Sequence, residues 1–387
     1  MTINATYHIR QPESKIDAVA EKLAIGLTVG SWTDLTAEDR DHLERFKGQV
    51  IEKKVLEENL LEVVIGYPES NVTPDFSSII TTVFGKLSLD GEVKLIDLEF
   101  AADYYRHFKG PAFGIEGIRE LLGVAGRPLV MSIFKGIIGR DKVFFEEQLR
   151  AQALGGVNLI KDDEILYDVP ELPFEERIQI ANRVLDEVEQ ETGRKVIYAV
   201  NLSGPVFDLP EKARRGVELG ARAFLFNVHS YGLDVLKGLR ALELGVPLMA
   251  HPAFSGAIAG SPDYGLSYPL ILAKLTRLAG ADLVLFPAPF GSVTLSEETA
   301  GAIVAECVKT LPISAAFPVP SAGIHPGLVN KLIDSYGVDQ VINAGGGVHG
   351  HPEGAAAGGL AFTEAIDLYY GGTTGSAYEQ AVTLWGS

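Results

Sequence analysis

The sequence predicts an α/β protein in which a smaller α+β domain precedes a (βα)8 barrel. Three observations predict it. From Arg127 onward, short apolar segments recur about every thirty residues between stretches of helical periodicity. Before that point strands and helices mix without a regular repeat, as in a compact α+β domain. Eight similar strands at this spacing favour closure into a barrel over an open doubly wound sheet.

In the first part, residues 5–9 suit a strand and 16–27 a helix. Residues 49–56 and 60–67 suit paired strands, 79–84 begins another element, and 93–100 closes the set as a strand. Pro111, Gly114, Gly117, Gly123 and Pro128 then punctuate the chain, and the expected domains are 1–122 and 123–387. The barrel strands are expected at 128–134, 157–161, 195–201, 223–228, 247–251, 282–287, 316–321 and 341–345.

Length and composition bound the function. A chain of 387 residues exceeds the usual single core, and 47% hydrophobic with 22% charged residues is ordinary for a folded enzyme. A net charge of −18 repels phosphate backbones and anionic lipid, so no nucleic-acid or membrane partner is expected. The single cysteine, Cys307, allows neither a disulfide framework nor a thiolate metal cage. Residues 1–10 lack a secretory pattern and no apolar run is long enough to span a bilayer, so a cytoplasmic location is expected.

Active sites of barrels of this kind sit at the C-terminal ends of the strands. Lys135, Lys161, Asp163, Glu164, Asn201, Asn227, His229, His251, Ser321, His325, Gly345 and Gly346 are expected on that rim. His229, His349 and His351 are read as satisfied structural histidines. The segment 155–164 concentrates the chemistry, because its apolar run closes on Lys161, Asp162, Asp163 and Glu164. Adjacent acids suit a hard divalent ion, and a lysine carbamylated by CO2 adds a further anionic oxygen ligand. Acids in the first turn of a helix explain the tetrapeptide equally well. Near the C-terminus, Gly345-Gly346-Gly347 follows the last strand and Ser321-Ala322-Gly323 follows the one before. Backbone amides there are placed for a phosphate, although a tight turn also accounts for the glycines.

Together these residues resemble the RuBisCO superfamily, in its form IV or RuBisCO-like branch. The likeness lies in Leu154 through Glu164, Ser132-Ile133-Phe134-Lys135, Gly30-Ser31-Trp32-Thr33, Ala250-His251-Pro252, Ser321 through His325, and Gly345-Gly346-Gly347 with Gly350-His351-Pro352 behind it. It implies a ferredoxin-like N-terminal domain, a barrel, and a homodimer whose sites form between one barrel and the other subunit's N-terminal domain, with Ser31 and Trp32 contributed across the interface. It also implies one Mg²⁺ per subunit on carbamylated Lys161, Asp163 and Glu164, and a substrate contacted by Lys135, Lys161, Asp162, Asp163, Glu164 and His251, its phosphate held by Gly323, Gly345 and Gly346.

Departures from the carboxylases bear on activity. Residues 290–297, after the sixth strand, hold no lysine, and Gly26 stands where the partner glutamate would be. Pro252 and Ile137 replace cations that grip a second phosphate, so the resemblance implies a monophosphate substrate and no CO2 fixation. Residues 81–91, with Lys86 among them, resemble the signature of the enolases of methionine salvage that act on 2,3-diketo-5-methylthiopentyl-1-phosphate. In that family the lysine is the general base. The alternatives are an isomerase of 5-methylthioribulose-1-phosphate and a non-catalytic sugar-phosphate-binding barrel.

Overall fold

Strict alternation of burial along Ile3–Arg10 makes that segment, β1, the central strand of the first sheet: Ile3, Ala5, Tyr7 and Ile9 face inward, and the residues between them do not. The computed structural model describes residues 3–30, 35–291 and 295–387. It divides into two compact units, Met1–Phe108 with Phe254–Ile271, and Lys109–Ala253 with Leu272–Ser387. Among the described residues no helix is long and apolar enough to cross a membrane.

In the first unit, β1 lies between β3 (Leu60–Tyr67) and β4 (Val93–Phe100), antiparallel to both, with β2 (Gln49–Glu57) beyond β3. The helix Ile16–Gly26 buries Ala20, Leu23 and Ala24, and a second helical stretch leads into β4. The order β-α-β-β-α-β is the expected ferredoxin-like arrangement. That second stretch begins as the α-helix Phe76–Ile80 and widens into a π-turn over Thr81–Gly85. The Tyr7 hydroxyl donates to the Val83 carbonyl at 2.6 Å and lies 2.7 Å from the Tyr67 hydroxyl, so the turn is fastened to the sheet. Phe84 and Leu87 are buried on either side of Lys86. The backbone at Lys86 is therefore fixed while its side chain is exposed.

A two-residue strand from much later in the chain, β10 (Gly265–Leu266), adds in parallel to β4. Arg10 holds this excursion through Asp263 at 2.8 Å.

The second unit carries eight parallel strands: β5 (Leu129–Ile133), β6 (Leu159–Lys161), β7 (Ile197–Asn201), β8 (Ala223–Phe226), β9 (Leu248–Ala250), β11 (Leu283–Pro287), β12 (Phe317–Ser321) and β13 (Val341–Ala344). Each falls within a segment expected from sequence. The sheet runs from β12 round to β13, and Asn343 Nδ2 donates to Ser321 Oγ at 2.8 Å across the remaining seam. Met131, Leu159, Ala199, Leu225, Met249, Leu285 and Val319 belong to one buried cluster. Each of these side chains except Ala199 contributes about 1.5–3 kcal/mol by leaving water.

The boundary expected after residue 122 falls instead after Phe108. The helix Gly114–Leu122 places Ile115, Ile118 and Leu122 in that same barrel cluster, and its apolar face has nowhere else to go. Buried Asp282 secures it: Oδ1 accepts the amides of Phe113 (2.6 Å) and Gly114 (2.9 Å), and Oδ2 accepts that of Leu248 (2.9 Å).

Candidate active site

Lys161 is the last residue of β6, and its side chain is fully buried. Its amine donates to the Asp162 carbonyl at 2.9 Å and lies 3.7 Å from Glu164. Burial brings the Lys161 pKa down to about 8, against the upward pull of Glu164 and Asp163. Burial thus raises the share of neutral amine, the form that attacks the carbon of CO2 to give a carbamate.

Asp163 accepts Lys135 Nζ at 2.9 Å; Lys135 follows the end of β5 and is 46% exposed. Glu164 is fixed from several sides. Its carbonyl accepts the side-chain amides of Asn201 (3.1 Å) and Asn227 (3.0 Å), and its carboxylate lies 3.4 Å from His251 Nε2. Burial alone would raise the Glu164 carboxyl, but Lys161 outweighs it with help from other donors, and the net shift is downward. His251 Nδ1 accepts the Ala253 amide at 3.1 Å, which leaves the proton on Nε2, facing Glu164. Burial first, and Lys161 second, keep this imidazole neutral well below its ordinary range.

Asp162, expected among the substrate-binding residues, points elsewhere. Side chains alternate along a strand, so the residue between Lys161 and Asp163 faces outward. There Asp162 is fully buried, accepts the Asn201 amide at 2.8 Å and the Tyr198 hydroxyl, and pairs with Arg177 Nε at 3.2 Å. Neither oxygen is available to a ligand. Arg177 and Tyr198 were not anticipated as supports of the site. A signal existed: Arg177 sits on the apolar stripe of the helix Phe174–Thr192, beside Phe174, Ile178 and Ala181, where a charge needs a buried partner.

The glycine turns adjoin this cluster. A side chain at Gly345 would come within 3.0 Å of Lys135 Cε, so the loop after β13 runs against that lysine. Ala322 and Gly323 both have positive φ, 70° and 67°. A Cβ at Gly347 would meet the Ile324 carbonyl at 2.4 Å, so the two loops pack backbone on backbone. Among the described residues, the amides of Gly323, Gly345 and Gly346 donate to no protein acceptor. Ser321 is committed to Asn343 and to the Val319 carbonyl. His349 donates to the Ile133 carbonyl and His351 to that of Ala377. His229 is pushed down to about 4 by burial, and among the described residues its Nδ1 has no hydrogen-bond partner, so it is not the satisfied histidine expected.

Among the described residues, no three His, Cys, Asp or Glu side chains converge as a metal site. Two carboxylates, Asp163 and Glu164, flank the buried amine instead. The donor set fits a hard divalent cation only when Lys161 supplies the third anionic oxygen as a carbamate.

Lys86 lies in the first unit, on a cavity of about 550 Å³ whose walls include Leu27, Val29, Phe46, Thr81 and Thr82. Ser31 and Trp32 fall outside the described residues, as do 292–294 of the loop that lacks a lysine.

Residues 114–383 match the family model of the ribulose bisphosphate carboxylase large chain, catalytic domain. The 2,3-diketo-5-methylthiopentyl-1-phosphate enolase of Bacillus pumilus is 51% identical over 99% of this chain and 98% of its own. That of Bacillus velezensis is 55% identical over 90% of this chain and 88% of its own. Among solved structures, a RuBisCO-like protein from Alicyclobacillus acidocaldarius superposes with a TM-score of 0.94 at 45% identity, covering 100% of both chains. The carboxylase of Pyrococcus horikoshii gives 0.93 at 28% identity, over 100% of this chain and 93% of that one.

Proposed function

This chain belongs to the RuBisCO large-chain family, in its RuBisCO-like branch, and we propose that it is a methionine-salvage enolase converting 2,3-diketo-5-methylthiopentyl-1-phosphate to 2-hydroxy-3-keto-5-methylthiopentenyl-1-phosphate. The observation that carries this reading is the buried Lys161 between Asp163 and Glu164, with Lys135 and His251 presenting N–H donors to the same cluster. Such donors suit a substrate with two adjacent oxygens.

The reaction breaks one C1–H bond; its electron pair becomes the C1–C2 double bond, and a proton reaches the C2 oxygen. Lys86 Nζ takes the C1 proton, from a backbone position fixed by Tyr7 and the buried neighbours Phe84 and Leu87. The amides of Gly323, Gly345 and Gly346 hold the phosphate and so fix C1 in place. Lys135 and the Nε2–H of His251 donate to substrate oxygens. Lys161 as its carbamate, with Asp163 and Glu164, would hold Mg²⁺, which supplies Lewis-acid polarisation of the substrate's oxygens when bound. Pro252 and Ile137 offer no charge to a second phosphate, in keeping with a monophosphate. A homodimer with a site shared between subunits follows from the family likeness. A reducing cytoplasm suits the buried Cys307 thiol, pushed up to about 12 by burial and thus inert.

Purified protein with Mg²⁺ and bicarbonate is expected to convert the diketone phosphate to its enol, followed by ultraviolet absorbance. Ribulose bisphosphate with labelled CO2 is expected to yield no acid-stable label. Absence of enol, or fixation of label, would overturn the assignment.

A further inference from the structure

At the N-terminal mouth of the barrel, opposite the strand ends that carry Lys135 and Lys161, lies a cavity of about 240 Å³ formed where the chain enters β5, β6 and β7. Its titratable lining residues are Arg127, Arg194 and Lys195, and no carboxylate lines it. In a chain of net charge −18, such a lining offers an anion a locally positive surface. Arg127 meets Asp367 at 3.0 Å, outside the lining. Arg194 spends one Nη on the Leu154 carbonyl at 2.9 Å.

Gly156 is a second and independent sign. Its φ is +88°, and the point where a Cβ would stand is 3.1 Å from Thr363 Oγ1 and 3.5 Å from Arg194 Nη1. A hydroxyl and a guanidinium thus close on the Gly156 backbone at the cavity wall, where a side chain would press on both. Asn158 adds a donor: its Oδ1 accepts the Val130 amide at 2.9 Å, so its Nδ2 is left for the cavity.

We propose that this cavity is a second anion site, taking a small dianion of the phosphate or phosphomonoester class between Arg194, Lys195 and Arg127, with Asn158 as a neutral donor. Planar guanidinium forks with a lysine point charge suit phosphate oxygens, and the volume admits a headgroup but no polymer. The catalytic residues stand at the other end of the strands, so occupancy here leaves the chemistry untouched.

Equilibrium dialysis of full-length protein with radiolabelled inorganic phosphate, and separately with glycerol 3-phosphate, distinguishes the free ion from the ester. In the double variant Arg194→Gln with Lys195→Gln, bound phosphate is expected to fall by one per chain while kcat and KM for the enolase reaction stay unchanged. Lys195→Glu alone is expected to do the same, which covers failure of the double variant to fold. Because the readout is a loss of one site per chain, it stands whether or not the glycine loops at the active site hold phosphate as proposed above. Phosphate bound in equal number and affinity by wild type and both variants would overturn the second site.

Discussion

Replacement of Lys86 by alanine is expected to lower kcat by a factor of about 10³, since a positioned general base contributes roughly 10² to 10⁴. The thermal midpoint is expected to hold. The fold does not use this side chain: it is exposed, whereas Val83, Phe84 and Leu87 around it are buried and Tyr7 anchors the turn. A π-turn interrupts the helix immediately before Lys86, and such turns are found frequently at functional sites. Turnover measured beside calorimetric Mg²⁺ binding separates the two possible roles of the amine. Loss of turnover with Mg²⁺ binding intact marks Lys86 as the base; full activity in the variant would remove it from the mechanism.

The largest effect on stability is expected at Arg177. This side chain is fully buried, donates to the carbonyls of Tyr167 (3.0 Å) and Leu172 (2.7 Å), and faces Asp162 at 3.2 Å. Arg177→Met leaves the Asp162 carboxylate in the interior with only Tyr198 and an amide, and breaking a buried pair in this way costs about 3–5 kcal/mol. Burial already raises the Asp162 carboxyl above its usual range despite the guanidinium opposite. The urea midpoint should drop accordingly, and Arg177→Met combined with Asp162→Asn should lose less than the sum of the two single changes. Additive losses would show that the two groups do not act as a pair. Asp162 lies between Lys161 and Asp163, so activity is expected to fall along with stability in the single Arg177 variant.

The barrel was legible in the sequence because each of its strands is a short apolar run closed by a loop, a pattern that survives without knowledge of neighbours. The chain's division was not. The helix Gly114–Leu122 is amphipathic in the same way whichever core receives it, and only the packing of Ile115 and Ile118 shows that it belongs to the barrel. The excursion through β10 was equally hidden, since a two-residue strand has no periodicity to read. At the site, the cluster of Lys161, Asp163 and Glu164 was visible as a run of charge at a strand end. The run alone concealed that Asp162 turns away, because adjacency in sequence means opposite faces in a strand. The low pKa values of Lys161 and His251 come from burial and from cations distant in sequence, which no local pattern encodes; the tautomer of His251 is set by the Ala253 amide two residues on.

In the proposed mechanism the amine of Lys86 removes a proton from C1 of a diketone phosphate. Proton NMR of the substrate in deuterium oxide, with wild type and Lys86→Ala side by side, tests it most directly. The wild type is expected to exchange one of the two C1 hydrogens for deuterium, and the variant neither. Exchange at equal rates in the two proteins, or none in the wild type, would contradict the account.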